Sequence, residues 1–344
     1  MKIRNDGRTI FTLLVIIGLC IGYISKNQTP SVTGVSNFKE KPASLSKADI
    51  VKQMNHLAAQ VVRLEKKAGI PGEGGFIIYS PRTTSRLLSL YQELDLRLSY
   101  LNSGKLPQNS EQWDGYSLVK TNAPPYSVAQ AAKVMAELKK NGVPDKLVKQ
   151  FHIFLLPSSI PEVSGLGGAG FTLISAALDS NSGVKDALAV TLNHETGHHV
   201  HMSFMPKGTA MGEKCWQEYL ALRGGVWRGP GAVNTAAWSD SSEETFAEDF
   251  RMLFGKNQPY FDDVTLGDPR NNPEKAAMLK NFMIRVGQKQ PVEKYNSPWI
   301  PEEMALSFWK HQTSVLAAMW MGLISMGLIT NLKSASPSGF DWHT

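Results

Sequence analysis

A chain of 344 residues is long enough for one sizeable domain with smaller flanking parts, and its 42% hydrophobic and 19% charged residues exclude intrinsic disorder. The net charge of +6 comes from basic residues scattered along helical stretches, such as Arg63, Lys66 and Lys67, which argues against a nucleic-acid partner. Only two cysteines occur, Cys20 and Cys215, so neither a disulfide framework nor a cysteine-based zinc cluster can be built.

Lys2, Arg4 and Arg8 precede an uncharged run of 17 residues, Thr9 to Ser25, closed by Lys26. A basic segment followed by an apolar one is an export signal. The run is at the lower limit for a spanning helix and no A-x-A site follows it, so residues 1–25 are expected to be an uncleaved signal anchor, with secretion after cleavage as the alternative. The basic flank stays in the cytoplasm under this reading, and a single-pass protein then carries its main domain outside the cell membrane. Cys20 does not read as a lipid attachment site, because Leu19 is bulky and the apolar run continues past it. Residues 26–45 are polar, with Pro30 and Pro42, and read as a linker.

Residues 46–124 are expected to be helical. Ile50, Met54, Leu57, Val61 and Leu64 recur at three- and four-residue intervals, giving an amphipathic helix that ends near Gly69-Ile70-Pro71-Gly72. A second helix, Thr83 to Leu101, carries Leu87, Leu88, Leu90, Leu94 and Leu98, and the two are expected to pack as a hairpin. Residues 125–290 should form an α+β domain. It begins with a helix from Val128 to Lys140, followed by a strand over Phe151 to Leu156. Gly165-Leu-Gly-Gly-Ala-Gly170 reads as a flexible turn and Phe171 to Ala176 as a second strand; the glycine run lacks the spacing and the lysine of a phosphate-binding loop. Residues 291–344 form a C-terminal region with an apolar helix at 314–330. Its 21 uncharged residues between His311 and Lys333 could span a bilayer, but Gly322, Gly327, Ser314 and Ser325 dilute it, and packing in a core is preferred.

The chemistry lies in Thr191-Leu-Asn-His-Glu-Thr-Gly-His-His-Val200, an HExxH motif that continues the apolar helical pattern of Ala187 to Val190. A spacing of four puts His194 and His198 on one helix face, so that two imidazoles converge on a single ion, for which zinc is the suited metal. Glu195 points to the side of that face, where a carboxylate can take a proton from water at the metal. His199 and His201 read as flanking groups or as groups that support the ligands from behind, since two ligands already fill that face. A catalytic zinc site needs a third protein ligand and an open position. Position 204 is Phe204, so the metzincin pattern fails. Downstream, Ser241-Ser-Glu-Glu244-Thr-Phe-Ala-Glu248-Asp-Phe-Arg251 reads as a helix capped by serine. Glu244 and Glu248 share one face of it. Glu244 then supplies the third ligand and Glu248, a turn later, receives the N–H of a ligating histidine. The alternative is that these acidic residues merely favour the helix dipole.

His194-Glu195-x-x-His198 followed by Glu244-x-x-x-Glu248 is similar to the gluzincin metallopeptidases. The string Glu244-Thr-Phe-Ala-Glu248-Asp-Phe-Arg251 looks most like the catalytic domain of anthrax lethal factor and its relatives, including the Pro-Pro endopeptidases. The resemblance covers roughly residues 125 to 290 and implies a zincin-like fold with one Zn2+ per chain on His194, His198 and Glu244, Glu195 as general base, and a protein or peptide substrate. It also implies that Phe171 to Ala176 is an edge strand, with Phe171, Thr172 and Leu173 against an extended substrate. One position departs from the pattern: the relatives carry a Tyr seven residues before the third ligand, where this chain has Ala237 with Trp238 beside it. Tyr219 or Tyr260 would have to replace it. The expected activity is that of a zinc-dependent endopeptidase outside the cytoplasmic membrane. A catalytically weak or inactive zinc-binding surface module is the alternative, and a transporter component would need charged groups at midmembrane that neither apolar segment has.

Overall fold

The computed structural model describes residues 46–104, 126–158, 164–175, 186–225, 241–255, 266–302 and 304. The expected anchor and linker, the apolar stretch 314–330, and Ala237, Trp238 and Tyr260 lie outside these residues. No helix among the described residues is long and apolar enough to cross a membrane. The chain divides into two compact units, Met1–Trp299 and Ile300–Thr344, and every element below belongs to the first.

The two N-terminal helices form as their periodicity predicts. Helix α1 (Lys47–Ala68) opens with a capping box, in which the Ser46 hydroxyl accepts from Asp49 N–H and the Asp49 carboxylate reaches back to the Ser46 backbone. Strands β1 (Ile70–Pro71) and β2 (Ile77–Tyr79) follow, then helix α2 (Pro81–Ser103), which starts on Ser80 with Pro81 in the first turn and packs against α1. After it come α3 (Val128–Lys140), with a Ser127/Gln130 capping box, the short α4 (Asp145–Val148) and β3 (His152–Leu155). Strands β4 (Gly165–Gly168) and β5 (Phe171–Ile174) precede α5 (Ala187–Phe204), α6 (Ala210–Arg223), α7 (Ser242–Phe254) and α8 (Pro273–Val286).

The strands make one five-stranded mixed sheet in the order β1-β2-β3-β5-β4. β2, β3 and β5 run parallel, while β1 and β4 close the ends antiparallel. The chain is therefore α+β, as expected. Two differences from the sequence-based reading matter for the site. β1 and β2 come from the stretch read as purely helical, so the sheet reaches back before residue 124. Phe171–Ile174 is not an edge strand: the glycine run read as a flexible turn pairs with it as β4, joined by the two-residue Ala169–Gly170 link, and β4 holds the edge. Thr172 and Leu173 are buried, and the Thr172 hydroxyl donates to Leu166 O on the neighbouring strand (3.0 Å).

Side chains alternate across the sheet with the period of two that strands impose. Ile78, Ile153, Leu155 and Ile174 face the main core, shared with Met135 and Leu138 of α3, Leu192 and Val200 of α5, Trp216 of α6, Phe246 and Phe250 of α7 and Phe282 of α8. Full burial of such side chains contributes about 1.5–3 kcal/mol each. Tyr79, His152 and Phe154 stack together on the opposite face, where Trp299 meets Phe154 edge-on at 5.4 Å. The segment after α8 wraps round the sheet as a strap. Val292 and Glu293 N–H donate to Ser203 O at the end of α5, and the Tyr295 and Ser297 hydroxyls donate to the buried Glu65 of α1 at 2.8 and 2.7 Å.

Candidate metal centre

Helix α5 is buried on nearly every side, polar residues included, and its position between the sheet and α7 fixes the direction of both motif histidines. Between them stands Gly197, where a Cβ would come within 2.6 Å of Ala247 Cα and 2.9 Å of Ala247 O. The two helices cross there almost in backbone contact. That crossing brings the acidic residues of α7 against the histidines of α5. The start of α7 is set by Ser241, whose hydroxyl accepts from Glu244 N–H (3.4 Å), as its position in the sequence predicts.

Three atoms converge at the crossing. His194 Nε2 lies 3.1 Å from His198 Nε2 and 3.1 Å from Glu244 Oε2, and His198 Nε2 lies 3.2 Å from the same oxygen. Such a group can hold a metal ion. Tetrahedral zinc with bonds of about 2.0–2.1 Å separates its ligand atoms by about 3.3 Å, so the triangle has the size of one face of that polyhedron. Two ring nitrogens and a carboxylate oxygen this close call for positive charge among them, either ring protons or a metal ion. The electrostatics agree. Burial opposes charge on His194, but Glu244 and Glu248 outweigh it and hold the ring's proton affinity up to about 10, so the site favours positive charge. Burial likewise opposes charge on Glu244, and His198 and His194 nevertheless hold its carboxyl well below the usual range. The His194 and Glu244 side chains keep 12% and 23% of their surface exposed, so the triangle opens to solvent on that side.

Behind the candidate ligands lies a layer of supporting groups. His194 Nδ1–H donates to Glu248 Oε2 (3.3 Å), which is the contact expected between these two residues. Arg251, for which the sequence suggested no role, donates Nε–H to the same oxygen at 2.8 Å and Nη2–H to Oε1, and both side chains are fully buried. An i,i+3 Glu–Arg spacing is a signal, though a weak one in a helix whose outward face is unknown. His201 lies behind His198, with Nε2 3.0 Å from His198 Nδ1. His199 faces elsewhere: its Nε2–H donates to Leu147 O (2.8 Å) and its Nδ1 accepts from Gly170 N–H (2.9 Å), which ties α5 to the β4–β5 link.

Glu195 sits between the histidines and the edge strand. A Cβ at Gly167 would come 2.7 Å from Glu195 Oε2 and 2.6 Å from His198 Cβ, so β4 passes this close only because glycine stands there. Burial pushes the Glu195 carboxyl up, against the pull of His198 and His194. Its Oε2 is buried and has no hydrogen-bond partner among the described residues. Tyr219, one of the two tyrosines considered for transition-state stabilisation, is fully buried and donates to Asp249 Oδ2 (2.7 Å) in the core, so it is not free for that role.

No family model, curated protein or solved structure matches this chain.

Proposed function

We propose that the protein is a zinc-dependent endopeptidase of gluzincin type, resembling the lethal-factor catalytic domain, with zinc held by His194, His198 and Glu244. The observation that carries this reading is a three-atom donor triangle with a buried carboxylate oxygen beside it, Glu195 Oε2, that has no hydrogen-bond partner among the described residues. A purely structural site has no use for a base and is usually closed by a fourth protein ligand. Bound there, zinc supplies Lewis acidity to a scissile carbonyl and acidifies water. Glu195 takes the proton of the attacking water and hands it to the leaving amine. Burial raises its proton affinity, the direction that helps a carboxylate take a proton from water. Glu248, locked by Arg251, keeps the His194 proton on Nδ1 and its Nε2 free to ligate.

An extended substrate has a natural place. β4 is an edge strand whose backbone passes over Glu195, and adding a peptide to a strand edge needs only main-chain hydrogen bonds. The site of substrate contact is therefore the outer edge of Gly165–Gly168, in place of Phe171, Thr172 and Leu173. Lys2, Arg4 and Arg8 ahead of the apolar run support a location outside the cytoplasmic membrane.

The test is cleavage of a peptide library by the purified full-length protein, with and without a chelator, beside Glu195→Gln. The wild type cleaves and the chelator stops it. The variant keeps its zinc and loses about 10²-fold or more of the rate. Equal turnover by the two proteins at equal zinc occupancy removes Glu195 from the mechanism. A second reading, a zinc-binding surface module without turnover, is favoured by the burial of Tyr219 against Asp249. Full zinc occupancy with no cleaved peptide would select it.

A further inference from the structure

The two histidine ligands are supported by chemically different groups. Behind His194 stands a carboxylate, Glu248. Behind His198 stands another imidazole: its Nδ1 lies 3.0 Å from His201 Nε2, three residues on along α5. His198 faces the ligand triangle with Nε2, so a metal there leaves the ring's proton on Nδ1, which has to be donated. His201 Nε2 is the acceptor in place, and an accepting Nε2 makes His201 a neutral ring protonated on Nδ1. His201 is 4% exposed, and its ring lies edge-on to Trp216 at 5.4 Å and to Phe246 at 5.7 Å. It cannot swing aside without opening the core.

We propose that His201 is the positioning residue of the second metal ligand, an uncharged acceptor that fixes the His198 ring without adding negative charge behind it. The inference rests on the metal-site reading above. A carboxylate behind a ligating imidazole raises that ligand's basicity and pushes electron density to the metal, whereas a neutral acceptor orients the ring and leaves the metal more electrophilic. The centre is thereby asymmetric: His194 is the stronger donor, backed by an anion that Arg251 compensates, and His198 is the weaker one. A carboxylate at position 201 would also add a buried charge among aromatic rings.

The test uses the full-length protein and the metal alone. Zinc affinity is measured by competition with a chromophoric chelator, the visible spectrum is recorded after cobalt(II) substitution, and thermal unfolding is followed without metal. His201→Phe fills the space between Trp216 and Phe246 but cannot accept. His201→Gln returns an oxygen or nitrogen to the place of Nε2. The phenylalanine variant should bind zinc about 10- to 100-fold more weakly and show an altered cobalt spectrum, and the glutamine variant should recover most of the affinity. Zinc affinity within twofold of wild type for His201→Phe, with an unchanged cobalt spectrum, overturns the proposal. So does glutamine as weak as phenylalanine, because a packing role alone predicts no rescue. Should His201→Phe also unfold at a lower temperature without metal, the difference between the two variants still decides. A wild-type protein that binds no zinc refutes the metal centre itself and shows this before any variant is made.

Discussion

Arg251 and Glu248 form a fully buried pair one helical turn apart, and the carboxylate oxygen that takes Arg251 Nε–H at 2.8 Å also faces His194 Nδ1 at 3.3 Å. Burial disfavours the charge on Glu248, and Arg251 restores it, holding the carboxyl below its ordinary range. The anion behind His194 therefore depends on a residue that takes no part in the His194–His198–Glu244 triangle.

Removing either partner leaves an uncompensated charge in the core, which costs about 3–5 kcal/mol. Arg251→Met and Glu248→Gln are each expected to lose stability on that scale in denaturant titration. The double variant should lose clearly less than the sum of the two. Glu248→Gln should also weaken zinc binding about 10- to 100-fold, since the His194 ring loses its anionic partner. Strict additivity of the stabilities would show that the pair is not coupled.

The Gly197 crossing makes a second forecast. Both atoms that a Cβ at Gly197 would meet belong to the Ala247 backbone, so no side chain can rotate to make room and α7 has to move. Gly197→Ala should separate Glu244 from the histidines, weaken zinc binding, and cost about 1–3 kcal/mol as overpacking does. Its helix propensity alone would stabilise, by up to about 1 kcal/mol. Increased stability with unchanged metal affinity would contradict the contact.

How far the sequence reached follows from the same contacts. The HExxH helix and the serine-capped glutamate helix are local patterns, and their facing residues could be named because metal chemistry demands a third ligand. β1 and β2 are two and three residues long and show no alternation to read; they are strands because β3, far along the chain, pairs with Ile77–Tyr79. β4 is harder still. Glycine has low strand propensity, and Gly165–Gly168 is a strand because it pairs with β5 and because only a residue without Cβ lets it lie over Glu195 and His198. The role of Arg251, and the choice of His201 over His199 as the supporting imidazole, required knowing which faces of α5 and α7 are buried, and two helices crossing at one glycine decide that.

The strap should be a stability element that leaves the metal alone. Glu65 is buried, and burial raises its carboxyl against the hydroxyls of Ser297 and Tyr295 that donate to it. Tyr295→Phe and Ser297→Ala should each cost about 1–3 kcal/mol, the range for a hydrogen bond to a charged or buried group. Zinc affinity should stay at the wild-type value. Denaturation midpoints equal to wild type in both variants would remove the strap from the account of stability.

Acid should weaken the fold through His199 and His152. Burial holds both rings down to about 4, below their ordinary value of 6.5. A depressed value means the folded protein resists the proton that the unfolded chain accepts, so the stabilisation is complete above about 6.5 and is lost as pH falls toward 4. The geometry explains the resistance at His199, where Nε2–H is committed to Leu147 O and Nδ1 accepts from Gly170 N–H; a proton on Nδ1 would face that N–H and break the tie to the β4–β5 link. At His152, Nδ1 shares a hydrogen bond with the Tyr79 hydroxyl (2.8 Å), and the ring stacks on Tyr295 at 3.6 Å. Charging the fully buried His199 should cost on the order of 3 kcal/mol, and His152 somewhat less. Stability of the metal-free protein, measured by denaturant titration at pH 7, 6, 5 and 4.5, should have a pH dependence that His199→Asn flattens, because asparagine can still accept from Gly170 N–H but does not titrate. Other groups contribute equally to both proteins and cancel in the comparison. Parallel curves for wild type and His199→Asn across that range would mean that His199 is not the group that acid attacks.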